Sequence, residues 1–247
     1  MSYIVTADGH EASLREYQPS TITLHGIAHS LAQLNRFTGH ACRPYSVAEH
    51  SLLVCEIVER LYSVDIHGRL AALMHDAHES RTGDLHTPGK IEVGAAWFAF
   101  EGQQENFVRT AFALHGPAAV HKGVVKLADT IALATERAQL LPKQAWMRDW
   151  PATANVQPVS WVDLMEPGRC AMSWLDWRQA FIDKYHELDF VRNEALLPTQ
   201  HRRRADDAGG GGLRGFGMVF EGGRTRHWAC GADGVKRWVD SGEAVDA

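Results

Sequence analysis

The dipeptide His75-Asp76 is the feature of this chain that points most directly to chemistry. An imidazole and a carboxylate stand side by side in an otherwise apolar run, Ala-Ala-Leu-Met-His-Asp-Ala-His-Glu-Ser. A carboxylate is rarely buried without a partner, because the loss of its hydration is costly. A divalent cation supplies such a partner, since it accepts imidazole and carboxylate ligands. With His50 and Asp129, which lie on other predicted helices, the dipeptide predicts a metal site with two His and two Asp ligands that acts on water.

Each of these four residues also has an ordinary structural interpretation. His50 shares a predicted helix face with apolar residues, and a lone histidine on such a face is more often a core residue than a ligand. Asp129 lies well inside a predicted helix on its apolar side, so capping does not explain it. His75 and Asp76 would point about 100° apart on a helix, so both reach one ion only near the helix surface. Spacing alone leaves the metal site a hypothesis.

Two further carboxylates are candidates for proton transfer. Glu79 lies four residues after His75, on the same predicted helix face, and could act as a general base or acid through the attacking water. Asp84, in the loop Thr-Gly-Asp, could orient water or protonate a leaving group. A solvated surface glutamate and a turn residue are the alternatives. Mixed nitrogen and oxygen ligands without sulfur suit one divalent ion of Mn, Co, Fe, Ni or Zn, and tolerate Mg.

Cationic residues occur in the same neighbourhoods and predict an anionic substrate. Arg36 precedes the His50 helix, Lys90 closes the loop after the His75 helix, and Lys126 lies one turn before Asp129. Arginine and lysine are well suited to bind phosphate. Each of them alone would more often be a solvated surface charge.

The composition is that of an ordinary globular protein. The chain has 247 residues, 45% hydrophobic and 22% charged, and a formal net charge of -5. This length allows one sizeable core, and the charge does not favour a nucleic-acid polymer or an anionic membrane as a partner. We see no membrane span and no signal peptide. We expect a cytoplasmic protein with reduced thiols at its four scattered cysteines, Cys42, Cys55, Cys170 and Cys230.

The apolar spacing predicts a mainly helical chain after an irregular opening of about 20 residues. Ser46 and Glu49 match a capping box, and Asp65 can cap the next helix. Loops are expected around Thr82-Gly-Asp84 and Pro88-Gly89, and an irregular segment over 151–167. The expected helices cover 27–37, 47–62, 66–80, 95–114, 118–141 and 173–197.

The composition changes after about residue 200. The basic run at 201–204 and the glycines at 209–212 predict a flexible linker over 201–212. Short apolar runs on either side of Gly222-Gly223 indicate a β-hairpin, so we expect a small accessory β element over 213–247.

The order of these residues resembles the H…HD…D pattern of the HD-domain metal-dependent phosphohydrolases. The resemblance covers residues 20–145 well, extends weakly to about 197, and does not include the tail. The motifs from Ser46 onward look like the branch that contains bacterial 5′-deoxynucleotidases, and the two motifs before Ser46 are similar to short, often phage-associated HD hydrolases. The motifs that carry the resemblance are Ile27-Ala-His-Ser-Leu, Asn35-Arg-Phe-Thr-Gly-His40, Ser46-Val-Ala-Glu-His-Ser51, His75-Asp-Ala-His-Glu79, Thr82-Gly-Asp84 and Thr87-Pro88 with Lys90.

The resemblance implies an all-α helical bundle. We therefore expect an HD-domain bundle over 1–200, with the β-hairpin predicted from the tail as a small appendage. It implies one divalent ion held by His50, His75, Asp76 and Asp129. It assigns help with the water and the leaving oxygen to Glu79 and Asp84. It assigns phosphate contacts to Arg36, Lys90 and Lys126, and a place near the sugar to Phe37. His78 departs from the usual small residue or proline, so it either adds a polar contact or faces solvent.

The resulting expectation is a phosphohydrolase that converts a deoxyribonucleoside 5′-monophosphate into a nucleoside and phosphate. A deoxynucleoside triphosphate triphosphohydrolase is the alternative enzyme, since the same ion and cations serve both reactions. A module that senses a nucleotide or binds a partner is the non-enzymatic alternative, and intact Glu79 and Asp84 argue against it. We expect a nucleotide as the substrate and a homo-oligomer as the assembly.

Overall fold

The computed structural model describes residues 2–196, 215–221, 224–230 and 236–238. The chain divides into two compact units, Met1–Arg192 and Asn193–Ala247. The described residues are mostly helical, as the apolar spacing predicts. None of the helices in these ranges is long and apolar enough to cross a membrane. Of the four cysteines, the three whose side chains are described, Cys42, Cys55 and Cys170, are free thiols.

The first unit begins with two short strands and continues with helices. Short 3-10 helices occur at Pro19–Thr21, Arg36–Gly39 and Pro151–Thr153. The strands are β1 (Tyr3–Val5) and β2 (Glu11–Ser13). The α-helices are α1 (Leu24–Gln33), α2 (Val47–Leu61), α3 (Ile66–Leu73), α4 (Glu79–Thr82), α5 (Thr87–Val93), α6 (Ala95–Ala111), α7 (His115–Val120), α8 (Lys122–Leu140), α9 (Pro167–Ala171) and α10 (Trp174–Leu196).

The opening residues form a hairpin, so the expectation of an irregular start was wrong. Strand β1 pairs antiparallel with β2, with Ile4 opposite Ala12. Gly9, at φ +78°, lies in the connecting turn, where its amide donates to the Thr6 carbonyl at 2.9 Å. Glycine adopts this backbone conformation without steric cost. Strands of three residues are too short to show a readable alternation, which is why the pattern was missed.

Helix α2 is the central element of the first unit and packs against α1, α3 and α8. Its residues Leu53, Val54 and Ile57 are fully buried, as the predicted apolar face requires. Phe181 and Leu188 of α10 belong to the same core. Burial of one such side chain contributes about 1.5–3 kcal/mol. The helix that carries His50 is therefore held firmly in the core.

The two predicted N-caps are present. The Ser46 side chain accepts from the Glu49 amide at 3.1 Å, and the Asp65 side chain accepts from the Gly68 amide at 3.0 Å. The Glu49 carboxylate, however, binds Arg43 at 2.7 Å instead of the Ser46 amide that completes a capping box.

The helix expected over 66–80 is interrupted, so His75 and Asp76 do not lie on a helix. Helix α3 ends at Leu73, residues 74–78 form turns, and α4 starts at Glu79. The Nδ1 atom of His75 lies 2.8 Å from the Ala72 carbonyl, which an uninterrupted helix would offer to the Asp76 amide. A side chain that captures this acceptor replaces the helical hydrogen bond and favours the turn.

Three other helix boundaries differ from the expectation. Pro88 and Gly89 lie within α5 and not in a loop, since proline is tolerated in the first turn of a helix. The helix expected over 118–141 is divided into α7 and α8 at His121. The helix expected over 27–37 ends at Gln33, which leaves Arg36 and Phe37 in the 3-10 turn that follows.

The second unit contains a three-stranded antiparallel sheet in the order β3 (Gly215–Glu221), β4 (Arg224–Cys230), β5 (Lys236–Trp238). Glu221 pairs with Arg224, so the expected hairpin between β3 and β4 is confirmed. Strand β5 was not predicted. The glycine pair at the turn and the expected linker at 201–212 lie outside the described residues, so the linker and the boundaries at 200 and 213 remain predictions.

Candidate metal centre

The four predicted metal ligands come together from three elements. His50 lies on α2, Asp129 on α8, and His75 and Asp76 in the turn between α3 and α4. His50 Nε2 is 3.3 Å from Asp129 Oδ1 and 3.5 Å from Asp76 Oδ2. His75 Nε2 is 3.1 Å from Asp76 Oδ2. These separations place the potential ligand atoms of His50, His75 and Asp76 close enough to hold one cation.

Both imidazoles present the same ring nitrogen to this cluster. Nδ1 of His50 lies 2.5 Å from Glu136 Oε1, and Nδ1 of His75 lies 2.8 Å from the Ala72 carbonyl. These acceptors favour the proton on Nδ1, which leaves a lone pair on Nε2. In the part of the chain that the structure describes, neither buried Nε2 atom has a hydrogen-bond partner. Buried nitrogens without partners fit a divalent ion, which would use those lone pairs.

Glu136 is a functional candidate that the sequence reasoning missed. Its fully buried carboxylate contacts His50, lies 3.2 Å from Arg36 Nη2, and accepts from the Tyr45 hydroxyl at 3.0 Å. A signal was present, because Glu136 follows Asp129 by seven residues and so shares its face of α8. A carboxylate that orients a metal-binding histidine is a common second contact in such sites.

The protonation of the cluster indicates an excess of negative charge. Burial and Arg36 act to lower the pKa of His50, but the Glu136 and Asp129 carboxylates raise it to about 9. Burial acts to raise the pKa of Asp76, but His75 and His50 hold it well below its usual range. The pKa of Asp129 is also lowered, since His50 outweighs the effect of burial. The carboxylates of the cluster therefore favour a positive charge between them.

Glu79 is buried next to this cluster. Burial, together with the nearby Asp76 and Asp84 carboxylates, raises the pKa of Glu79 well above its usual range. Burial also raises the pKa of Asp84, while Arg36 opposes that shift. Both carboxyl groups therefore hold a proton more tightly than an ordinary carboxyl group, which is typical of groups that transfer protons.

Lys90 is fixed by a residue that the sequence did not single out. Its Nζ atom lies 2.6 Å from Glu101 Oε1 on α6 and 3.9 Å from Glu79 Oε1. His78 is buried and does not face solvent. Its Nε2 atom lies 3.6 Å from the same Glu101 oxygen, so its side chain makes a polar contact there. Together, His78, Glu79 and Glu101 form a second group of potential metal ligands. The Lys90 ammonium already provides a cation for it.

The other predicted substrate residues are Arg36, Phe37 and Lys126, and they differ in their contacts with the cluster. Arg36 Nη1 is 3.9 Å from Asp76 Oδ2, and its guanidinium carbon is 5.4 Å from the centre of the Phe37 ring. Phe37 has a φ of 56°, rare for a bulky residue, and its ring lies 6.3 Å from that of Trp150. Lys126 is largely exposed, and its Nζ atom is 2.8 Å from Asp129 Oδ2.

A cavity of about 240 Å³ opens beside the metal cluster, between α3, α6, α7 and α8. His75, Asp76 and Asp129 line one part of it, and apolar residues such as Met74 and Leu114 line another. Three cations also border it, although the Arg109 guanidinium is bound by Glu105. These cations are Arg109, Lys122 and Lys126.

Comparison with known proteins gives relatives without a described activity. No family model matches the chain. An uncharacterized protein of Rhodobacter capsulatus, RCAP_rcc00048, is 36% identical over 137 residues, which cover 53% of this chain and 69% of the relative. The uncharacterized protein YfdR of Escherichia coli is 33% identical over 140 residues, 57% of this chain and 73% of that protein. The matches span most of both relatives, and the chain belongs to the family that these two proteins represent.

Proposed function

We propose that the protein is a metal-dependent phosphohydrolase of the HD type that acts on nucleotides. Its preferred reaction would be the hydrolysis of a deoxyribonucleoside 5′-monophosphate to a nucleoside and phosphate. The observation that supports this most is the meeting of two unpartnered Nε2 atoms with the Asp76 and Asp129 carboxylates. A group of this kind, with cations and proton-transfer residues around it, is suited to the attack of water on phosphate.

One divalent ion would be held by His50, His75, Asp76 and Asp129. When bound, such an ion lowers the pKa of a coordinated water and polarises a phosphoryl oxygen. Arg36 and Lys90 would bind the phosphate oxygens. Their charges would hold the phosphorus in place for attack.

Proton transfer would fall to the two buried carboxyl groups. Glu79 would accept a proton from the attacking water, because its raised pKa makes it a better base than an ordinary glutamate. Asp84 would donate a proton to the departing 5′ oxygen, the role that the resemblance implies for it. The P–O bond to the nucleoside breaks as the bond from the water oxygen forms.

The cavity beside the cluster favours a second candidate, a deoxynucleoside triphosphate triphosphohydrolase. Lys122 and Lys126 border the space next to Asp129, where they could bind phosphates beyond the one that is attacked. A monophosphate leaves those charges without a phosphate partner. A nucleotide sensor or partner-binding module is less well supported, because binding alone does not require Glu79 and Asp84 at the cluster.

The decisive experiment combines metal analysis with a panel of deoxynucleoside mono- and triphosphates, each tested with Mn²⁺, Co²⁺, Mg²⁺, Ni²⁺, Fe²⁺ and Zn²⁺. The proposal expects release of phosphate from monophosphates, whereas the second candidate expects release of triphosphate.

Asp76→Ala should remove bound metal and activity together, because it deletes a charged ligand. Asp183→Ala, on the exposed surface of α10, is the matched control. Full metal occupancy in Asp76→Ala would refute the assignment of Asp76 as a ligand. If the parent protein turned over none of the nucleotides, the proposed hydrolase activity would be refuted.

A further inference from the structure

A second cavity, of about 400 Å³, lies between the N-terminal hairpin, α1 and α4. None of the four candidate metal ligands lines it. Ile4, Ile22 and Ile27 provide apolar surface. The polar part of its wall includes Thr6, Thr21, His29, Ser30, Gln33 and Arg81.

Arg81 is the unusual member of this wall, because its buried charge has no acidic partner. Arg81 is 8% exposed, and its guanidinium makes no ion pair within the described residues. Nε donates to Gln104 Oε1 at 2.8 Å, and Nη2 donates to the Ser13 carbonyl at 2.6 Å. Both acceptors are neutral. Burial lowers the pKa of Arg81, and no nearby carboxylate offsets that shift. A buried charge without a counter-charge is costly, so it favours the binding of an anion.

Other polar groups of the same wall make no hydrogen bond, or only a long one, within the described residues. Nδ1 of His29 is buried and has no hydrogen-bond partner among the described residues. The Ser30 hydroxyl donates only a long bond, 3.4 Å, to the Ser80 carbonyl. The Gln33 amide likewise makes only a 3.4 Å bond, to the His29 carbonyl. These groups could serve a bound ligand with little loss of protein hydrogen bonds.

The carboxylate of Asp8 does not fill this need. It lies close to Thr23 and Gly26, which also line the cavity. Its oxygens are engaged by the Thr23 hydroxyl and by His25 Nδ1, at 2.6 Å for the histidine. Arg81 forms no ion pair with it.

We propose that this cavity binds a small organic anion. A phosphate or carboxylate group of the ligand pairs with Arg81, and its polar body bonds to His29, Ser30 and Gln33. The remainder of the ligand contacts the isoleucine side chains. The site is separate from the metal centre, and the inference does not depend on the proposed hydrolase activity.

A purely structural role for Arg81 makes a different prediction. In that case, the guanidinium only joins α4 to the hairpin and to α6 through its two neutral acceptors. Added anions would then have no specific effect on the protein. The two roles can therefore be separated by ligand binding, which a structural anchor does not require.

The test uses the full-length chain carrying Asp76→Ala, so that anions cannot be held by a metal at the other site. Inorganic phosphate and succinate are titrated while the unfolding temperature is followed, with sodium chloride at matched ionic strength as the reference. Binding to the folded state raises that temperature with ligand concentration. We expect such a rise with phosphate, succinate or both, and the more effective anion identifies the class of ligand group.

The variant Arg81→Met, in the same background, should weaken the response by about ten- to hundredfold in apparent Kd, the usual effect of losing charge-assisted hydrogen bonds. Arg60→Met, which removes an exposed arginine of α2, should respond like the parent. Because Arg81→Met removes two internal hydrogen bonds, Ser30→Leu provides a second test by filling the cavity while keeping the guanidinium. The proposal is overturned if neither anion acts beyond sodium chloride, or if Ser30→Leu responds like the parent.

Discussion

The two imidazoles of the candidate metal centre are oriented by atoms outside the ligand set. Glu136 holds His50 through Nδ1, and the Ala72 carbonyl holds His75 in the same way. Glu136 itself is held by Arg36 and Tyr45, so the orientation of His50 depends on a chain of buried polar contacts. The orientation of both candidate histidine ligands therefore depends on neighbours outside the candidate ligand set.

The importance of Glu136 can be measured by metal affinity. Glu136→Gln removes the charge that stabilises the Nδ1 proton of His50, so metal affinity should fall by about 10- to 100-fold. Equilibrium dialysis against a metal buffer gives this affinity. Glu56→Gln, on the outer part of α2, should bind metal like the parent. Unchanged affinity in a folded Glu136→Gln protein would limit Glu136 to a structural role.

Glu79 should affect turnover without affecting metal. Glu79→Ala removes the proposed base but leaves His50, His75, Asp76 and Asp129 in place. We expect turnover to fall by about 10²- to 10⁴-fold, the range for loss of a general acid or base. Turnover and metal content are measured on the same preparation, with the exposed Glu187→Ala as the control. A loss of only a few-fold would assign Glu79 to packing.

At the scale of elements, the early end of α3 decides the geometry of the site. A continuous helix over 66–80 would separate His75 and Asp76 by about 100° around its axis. The turn at 74–78 replaces that geometry and brings both residues beside His50 and Asp129. Helix α6 supports the end of this turn through Glu101, which contacts His78 and Lys90.

The contact between α6 and this turn should make stability depend on pH. The contact with His78 and the Lys90 ammonium lower the pKa of Glu101 from 4.5 to about 2. The folded state binds this proton less readily than the unfolded state, so the contribution of Glu101 is complete above about pH 4.5. It is lost as the pH falls from there towards 2.

Urea unfolding of Glu101→Gln across this range tests the assignment. The variant should be less stable than the parent at pH 6, and the difference in unfolding free energy should shrink as the pH approaches 3. Glu92→Gln, on the exposed surface of α5, should track the parent throughout. A difference that is constant with pH would show that the Glu101 charge does not contribute.

In the whole molecule, the candidate metal ligands and the three-stranded sheet belong to different units. Met1–Arg192 contains every candidate ligand and its own apolar core. Asn193–Ala247 contains the three-stranded sheet and no candidate site residue. All four candidate metal ligands therefore lie in the first unit.

A chain ended at Arg204 should therefore keep metal binding and hydrolysis, while it loses some stability or changes its assembly. Metal content, turnover and light scattering are compared with the full-length protein. The apolar tail residues Phe216, Phe220, Trp228 and Trp238 are the reason to expect an effect on assembly. If the shortened chain folds and binds metal but hydrolyses no nucleotide, the tail belongs to the active site.

Local patterns in the sequence were enough to predict the helical class, the helix that carries His50, and the hairpin of the second unit. These depend on local physics: apolar periodicity, the caps at Ser46 and Asp65, and a glycine pair between two apolar runs. The four candidate ligands could also be named, because charged and imidazole groups on apolar faces need a partner. The identity of the ion and of the substrate remains a prediction.

The way in which these residues meet depends on long-range packing, which local patterns do not describe. The turn at 74–78 depends on a side chain that competes for a backbone carbonyl, which periodicity does not reveal. Glu136 and Glu101 matter because α8 and α6 bring them to His50 and Lys90, across 86 residues in the first case. The unpaired charge of Arg81 is also invisible in sequence, since an arginine is unusual there only once its burial and its neutral partners are known. Long-range packing sets such contacts, and a local pattern contains no information about which distant groups it will face.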